Sequence, residues 1–280
     1  MIRSFDEIYK AIDGLPPVRL AVVNPVQDYI YQTMDEANKR GWIKQIIFKN
    51  ENLEVASKNA VLAVVNKKAD FIMKGDVETS ILLQAVMDKN NGLIANQNLS
   101  HVAVLESSYY DRLMLMTDGG VNIKLSESIM ETILENAVDF AKALQIEKPN
   151  IAFLSLIEKV VDKIPETILA ESMAEKYATD VRINVEGPMA LDVAFSEKAA
   201  QAKGIQTEIA GKIDIFIGPN ISTINFTVKS LMILGKVNGA GIILGSKCPI
   251  ILLSRSDSIK TKLNSIALGI LALKGVQNGY

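Results

Sequence analysis

The sequence predicts an α/β fold, built from parallel sheets with helices on both faces. Three observations carry that prediction. Short apolar runs alternate with amphipathic helical stretches along almost the whole chain. Several runs are apolar throughout, as strands buried on both faces are. Gly, Asn, Asp, Ser and Thr gather where a run hands over to a helix, the place where open α/β sheets bind ligands. At 280 residues the chain is long enough for two domains.

The elements follow in order. Ser4 and Glu7 have capping-box spacing and open a short helix that ends near Gly14. Residues 18–24 read as a strand, 28–40 as a helix closed by Gly41, 44–48 as a strand and 53–67 as a helix. A strand over 70–73 breaks at Lys74-Gly75-Asp76, and a helix follows over 79–89. The runs 100–106 and 112–117 are separated by Ser107-Ser-Tyr-Tyr-Asp111. That link is too short for a crossover helix, so the pair forms an antiparallel hairpin at a sheet edge. A long helix covers 126–144. After Pro149 the rhythm restarts: strand 151–154, helix 165–177, strand 182–185, helix 197–203, strand 214–217, helix 225–234. Gly239-Ala-Gly-Ile-Ile-Leu-Gly245 and Pro249-Ile-Ile-Leu-Leu253 are two further buried strands. The closing helix is apolar at Ile259, Leu263, Ile266, Ala267, Ile270 and Leu271. A domain boundary is placed near Ser126, and periodicity does not show where the closing segment returns.

Composition narrows the function. Hydrophobic content of 49% and charged content of 22% fit an ordinary soluble globular protein. A net charge of −2, with no basic run, points away from nucleic acid. No segment offers the apolar length of a membrane span, and no signal-peptide pattern is present, so a cytoplasmic location is expected. The single Cys248 rules out a disulfide framework within the chain and is expected in the core. His101 is the only histidine and has no metal partner at ligand spacing, so a structural role is expected. Met114 and Met116 alternate with Leu113 and Leu115 and read as core. No dinucleotide fingerprint, Walker loop or dense carboxylate cluster is present, which leaves metal-free chemistry without a permanently bound cofactor.

The strongest candidate site is Ser254-Arg-Ser-Asp-Ser258. It lies at the carboxyl end of an apolar strand and just ahead of a helix, whose first N–H groups suit an anion. Arg255 would add a bidentate fork for phosphate. The ordinary alternative is a helix capped by Asp257 or Ser258 with Arg255 in water. Four other junctions share this chemistry: Lys74-Gly75-Asp76 with Thr79, Thr117-Asp118-Gly119-Gly120 with Asn122, Glu186-Gly187-Pro188 with Asp192, and Gly218-Pro219-Asn220 with Asn225. Turn and cap requirements alone would also explain them.

Seven segments in order resemble one family. They are Ala69-Asp-Phe-Ile-Met-Lys-Gly75 with Thr79, Leu99-Ser-His-Val-Ala-Val104, Leu115-Met-Thr-Asp-Gly-Gly-Val-Asn122, Glu158-Lys-Val160, Gly187-Pro-Met-Ala-Leu-Asp192, Pro219-Asn220 with Asn225 and Lys229-Ser-Leu231, and Ser254-Arg-Ser-Asp-Ser258 with Lys262. Together they resemble the phosphate acetyl/butyryltransferase family, most closely its butyryltransferase branch.

The resemblance implies a reaction of acyl-CoA with inorganic phosphate to give acyl phosphate and CoA. It implies two three-layer α/β/α domains with an interdomain cleft, an isopropylmalate-dehydrogenase-like architecture. The first domain would hold residues 1–126 plus about 241–280, and the second 127–240. Ser254 and Arg255 would stand at the reacting centre, Arg255 on phosphate and Ser254 donating to the acyl oxygen or thiolate. Asp257 is grouped with them as the nearest carboxylate, while the identity of any base stays open. Lys74, Gly75, Thr79, Asp118, Asn122, Gly187, Asp192, Asn220, Asn225 and Lys229 are the candidate substrate-binding residues. A homodimer or higher homo-oligomer is implied as well.

Three positions depart from the family pattern. Thr261 stands where acetyl-specific relatives have Asp, Gln84 where members commonly have Arg, and Ile224 where a glycine is usual. Two other readings therefore stay open: a non-catalytic paralogue that binds acyl-CoA or acyl phosphate, and a nicotinamide-dependent hydroxyacid dehydrogenase. Phosphate acetyltransferase activity is the nearer alternative.

Overall fold

Ser4 caps the first helix: its hydroxyl accepts the Glu7 N–H at 3.2 Å, and the apolar face of α1 (Phe5–Ile12) buries Phe5, Ile8 and Ile12. In this computed structural model, residues 1–94, 98–252, 254 and 256–277 are described. The chain continues through β1 (Val18–Val23), α2 (Asp28–Lys39), β2 (Ile43–Phe48), α3 (Leu53–Val65), β3 (Phe71–Lys74) and α4 (Thr79–Met87). Asn52 caps α3 by accepting from Glu54 and Val55. Next come β4 (Ser100–Glu106), β5 (Met114–Thr117), α5 (Glu127–Ala143), β6 (Asn150–Leu154), α6 (Pro165–Tyr177), β7 (Asn184–Met189), α7 (Leu191–Phe195), α8 (Glu197–Lys203), β8 (Ile215–Ile217) and α9 (Ile221–Ile233). The chain closes with β9 (Asn238–Leu244), β10 (Ile250–Ile251) and α10 (Ile259–Gln277).

The chain forms two compact units. A terminal unit joins Ser4–Leu99 to Gly239–Tyr280, and a central unit joins Met1–Arg3 to Ser100–Asn238. The strand order in the terminal unit is β2-β1-β3-β10-β9. Its first four strands are parallel and β9 runs antiparallel to β10. Helices α1, α2 and α10 pack together, and α3 packs on α4. The order in the central unit is β4-β5-β8-β6-β7, parallel except for β4. One face of that sheet carries a core of Met114, Met116, Phe216, Val193, Ala194 and Ile224. Both methionines expected in the core are there.

Four expectations differ from the structure. The division falls at Leu99/Ser100 rather than near Ser126. The β4–β5 hairpin belongs to the central unit because β5 pairs with β8, and the Leu115 N–H reaches the Asp214 carbonyl at 2.8 Å. Strand β7 begins later than expected and runs on through Gly187 and Pro188 to Met189. Proline is tolerated there because β7 is the last strand in this unit's order and pairs with β6. Helix α9 begins at Ile221, not Asn225, because the Asn220 side chain accepts the Thr223 N–H at 2.9 Å and starts the helix earlier. The short helix α7 was not foreseen. Among the described residues no helix is long and apolar enough to cross a membrane.

Candidate active site

In the terminal unit, β3 and β10 are parallel neighbours, with Met73 opposite Ile251. Lys74 and Gly75 at the end of β3, and Ser254 just beyond β10, therefore lie at the carboxyl ends of adjacent strands. Gly75 is required by close approach: its N–H donates to the Val23 carbonyl at 2.9 Å, and a β-carbon there would lie 2.3 Å from that oxygen. Asp76 ties the β1 and β3 turns together by accepting the Val26 N–H at 2.6 Å and the Gln27 N–H at 2.9 Å. The Lys74 ammonium donates to the Val77 carbonyl at 2.8 Å, across its own turn. Thr79 is the first residue of α4 and is half-buried.

Ser254 and Asp257 are joined by two hydrogen bonds. The Asp257 N–H donates to the Ser254 carbonyl at 3.2 Å, and the Ser254 N–H donates to Asp257 Oδ2 at 2.8 Å. The Ser254 hydroxyl is exposed and 3.0 Å from the Ser256 hydroxyl. Arg255, between them in sequence, lies outside the described residues. Ser258 caps α10, accepting the Thr261 N–H at 3.1 Å. The Thr261 hydroxyl lies 2.9 Å from that of Ser258. Behind the turn, Lys262 is 1% exposed and its ammonium donates to the Asp257 carbonyl. Burial lowers its pKa, against the opposing pull of the Asp257 charge.

In the central unit, Asp118 organises the loop after β5. Its carboxylate accepts from Gly120 N–H at 2.7 Å, Val121 N–H at 2.9 Å, Asn122 N–H at 3.1 Å and Asn122 Nδ2 at 2.7 Å. Asn225, on α9, donates from Nδ2 to the Gly119 carbonyl at 2.9 Å, which brings the two junctions together. Ile224 is fully buried beside it, and its side chain fills the space over Gly218 and Gly119. The His101 side chain lies close against Gly119 and Gly120.

Other candidates stand apart from that cluster. Gly187 is inside β7 rather than at a junction, where a β-carbon would come 2.7 Å from Phe153 Cβ. Asp192 is exposed and paired at 2.9 Å with Lys203, which also holds Glu158 at 2.7 Å. Asn220 caps α9, and Lys229 is exposed on that helix. Gln84 is exposed on α4 and lines a groove of about 420 Å³ with Glu54, Lys58 and Asn91.

Two groups carry signals that a sequence does not show. The hydroxyls of Thr117 and Ser155 are buried without a hydrogen-bond partner among the described residues. They lie at the carboxyl ends of β5 and β6, on either side of β8. A buried hydroxyl without a protein partner is uncommon. The burial of Lys262 is the second, and it needs the tertiary fold to be seen. Cys248 is core, and its thiol is pushed up to about 12 by burial, with a smaller contribution from Asp70. Among the described residues no three His, Cys, Asp or Glu side chains gather as a metal site.

The two α/β units carry hydroxyls, amides and an ammonium group at the carboxyl ends of their strands, the place where open α/β sheets bind ligands. Comparison with known proteins identifies the family. Residues 10–270 match the family model described as "Phosphate acetyl/butaryl transferase", and the chain belongs to that family. It is 36% identical to the phosphate butyryltransferase of Clostridium acetobutylicum, over 97% of this chain and 98% of that one. A branched-chain phosphotransacylase from Enterococcus faecalis V583 has a similar structure, with a TM-score of 0.83, 28% identity, and coverage of 91% of this chain and 99% of that one. A putative 4-hydroxythreonine-4-phosphate dehydrogenase from Salmonella typhimurium shares the fold alone, at a TM-score of 0.54 and 12% identity over 92% of this chain and 99% of that one.

Proposed function

We propose that this enzyme moves a short-chain acyl group, butyryl or similar, between CoA and inorganic phosphate. The observation that carries this reading is the family match over residues 10–270, together with near full-length identity to a phosphate butyryltransferase. An oxygen of hydrogen phosphate attacks the thioester carbonyl carbon, the C–O bond forms, the C–S bond breaks, and the leaving thiolate gains the proton that the phosphate gives up. Arg255 binds phosphate as a bidentate partner, and the exposed Ser254 hydroxyl donates to the charge that develops on the acyl oxygen or the thiolate. Asp257 has one carboxylate oxygen on the Ser254 N–H, which favours holding the turn over shuttling a proton. Lys74, Gly75 and Thr79 supply further contacts from the neighbouring strand end. Within the central unit, Asp118 fixes Asn122 and the Gly119 carbonyl fixes Asn225, so both amides are held in place at the strand ends there. A homodimer or higher homo-oligomer in the cytoplasm belongs to the same proposal, and light scattering after gel filtration tests the assembly.

The test is release of CoA from butyryl-CoA, followed by thiol titration with and without phosphate. Phosphate-dependent release is expected, with butyryl-CoA turned over faster than acetyl-CoA. The family description names acetyl transfer too, so faster turnover of acetyl-CoA would move the assignment to that branch. Tight binding of acyl-CoA with no release at all would establish a non-catalytic binding protein instead.

A further inference from the structure

We infer that Lys262 is a positioning residue for Ser254, acting through Asp257; this rests on the reading of Ser254 as a group at the reacting centre. A backbone carbonyl and a ring face meet the Lys262 ammonium, and the Asp257 charge acts on it as well. It donates to the Asp257 carbonyl, and it lies 4.3 Å from the centroid of the Tyr29 ring on α2. Asp257 in turn grips Ser254 at both ends of its peptide frame, through the N–H at 2.8 Å and the carbonyl at 3.2 Å. The line from the Tyr29 ring to the Ser254 backbone is therefore continuous, and all of it lies in the terminal unit.

A buried ammonium costs desolvation that an apolar side chain of similar length does not, and here the Asp257 charge offsets only part of that cost. Burial also pulls the Lys262 pKa down, which is the same cost seen in protonation. Lys262 thus contributes little to folding stability, while it fixes the carbonyl at the corner of the turn. Stability and rate should move apart when it is replaced.

The experiment uses the full chain and compares Lys262→Met, Lys262→Gln, Ser254→Ala and the double variant Ser254→Ala/Lys262→Met. In Lys262→Met, Tm should equal or exceed that of the unaltered protein. Its kcat should fall about tenfold or more, with little change in KM for butyryl-CoA. Lys262→Gln keeps a donor for the Asp257 carbonyl and should retain more rate than Lys262→Met. The double variant should be no slower than Ser254→Ala alone, because both changes act on one group.

An unchanged kcat in Lys262→Met, or a loss that multiplies onto Ser254→Ala, overturns the inference. So does a lower rate in Lys262→Gln than in Lys262→Met when the two are compared at matched folded fraction. If Ser254→Ala keeps the full rate, the reading of Ser254 fails first. A slow Lys262→Met would then owe its loss to another group, and the inference falls with it.

Discussion

A β-carbon on Gly75 would stand 2.3 Å from the Val23 carbonyl oxygen, so Gly75→Ala has to push β1 and the β3 turn apart. A loss of about 1–3 kcal/mol is expected in urea unfolding; an unshifted midpoint would contradict the close approach. Ile224 poses the opposite case. Its buried side chain fills the space over Gly218 and Gly119, so Ile224→Ala should cost about 2–5 kcal/mol by leaving a cavity. A change under about half a kcal/mol would mean that the space collapses freely. Some residue roles were legible in the sequence and others were not, for a physical reason. Ser4 as a cap and Gly41 as a helix stop are local, and both hold, with Gly41 at φ +74°. Asp118 read as a substrate contact, yet its oxygens are occupied by the N–H groups of its own loop. The burial of Lys262 depends on α2, far away in sequence, so no local pattern could report it.

At the scale of elements, Arg19 and Asp70 join β1 to the start of β3. The Asp70 carboxylate accepts from Arg19 N–H at 2.6 Å and Nη2 at 2.6 Å. Burial raises the Asp70 pKa, but the hydrogen bonds and charge of Arg19 outweigh it and hold the carboxyl below its ordinary value. A folded-state pKa below the unfolded one gives stability that is present above the unfolded value and is lost as pH falls through the folded one. Asp70→Asn should therefore be less stable than the unaltered protein at neutral pH. The gap should close as pH drops below about 4, measured by urea unfolding across a pH series. A gap of constant size would show that the ion pair is not its source. Element identity was mostly legible because period-2 and period-3.6 patterns are strong in this chain. The misses have separate causes. β7 runs through a Gly-Pro pair that reads as a turn, because an outer strand can tolerate a missing N–H. α9 starts on a side-chain cap whose residue also suits a loop.

For the whole molecule, the two units follow from which strands pair, and pairing is what a single sequence reports least well. The hairpin 100–117 is plain in the sequence, but its partner β8 lies almost a hundred residues on, so the division moved from Ser126 to Leu99. The return of the closing segment could be expected only from the family resemblance, and β10 beside β3 is its physical cause. The family itself was legible from seven collinear motifs, several of which carry turn or cap chemistry at a strand end. The central claim is acyl transfer between CoA and phosphate at the turn that follows β10. Its most direct test measures both products at once, free thiol and acyl phosphate, from butyryl-CoA and inorganic phosphate, with the unaltered chain and with Arg255→Ala. Equal amounts of the two products are expected from the unaltered chain, with the rate cut by about 2.7–4 kcal/mol of barrier, roughly a hundredfold to a thousandfold, in Arg255→Ala. Thiol release without acyl phosphate, or an Arg255→Ala rate near that of the unaltered chain, would contradict the account.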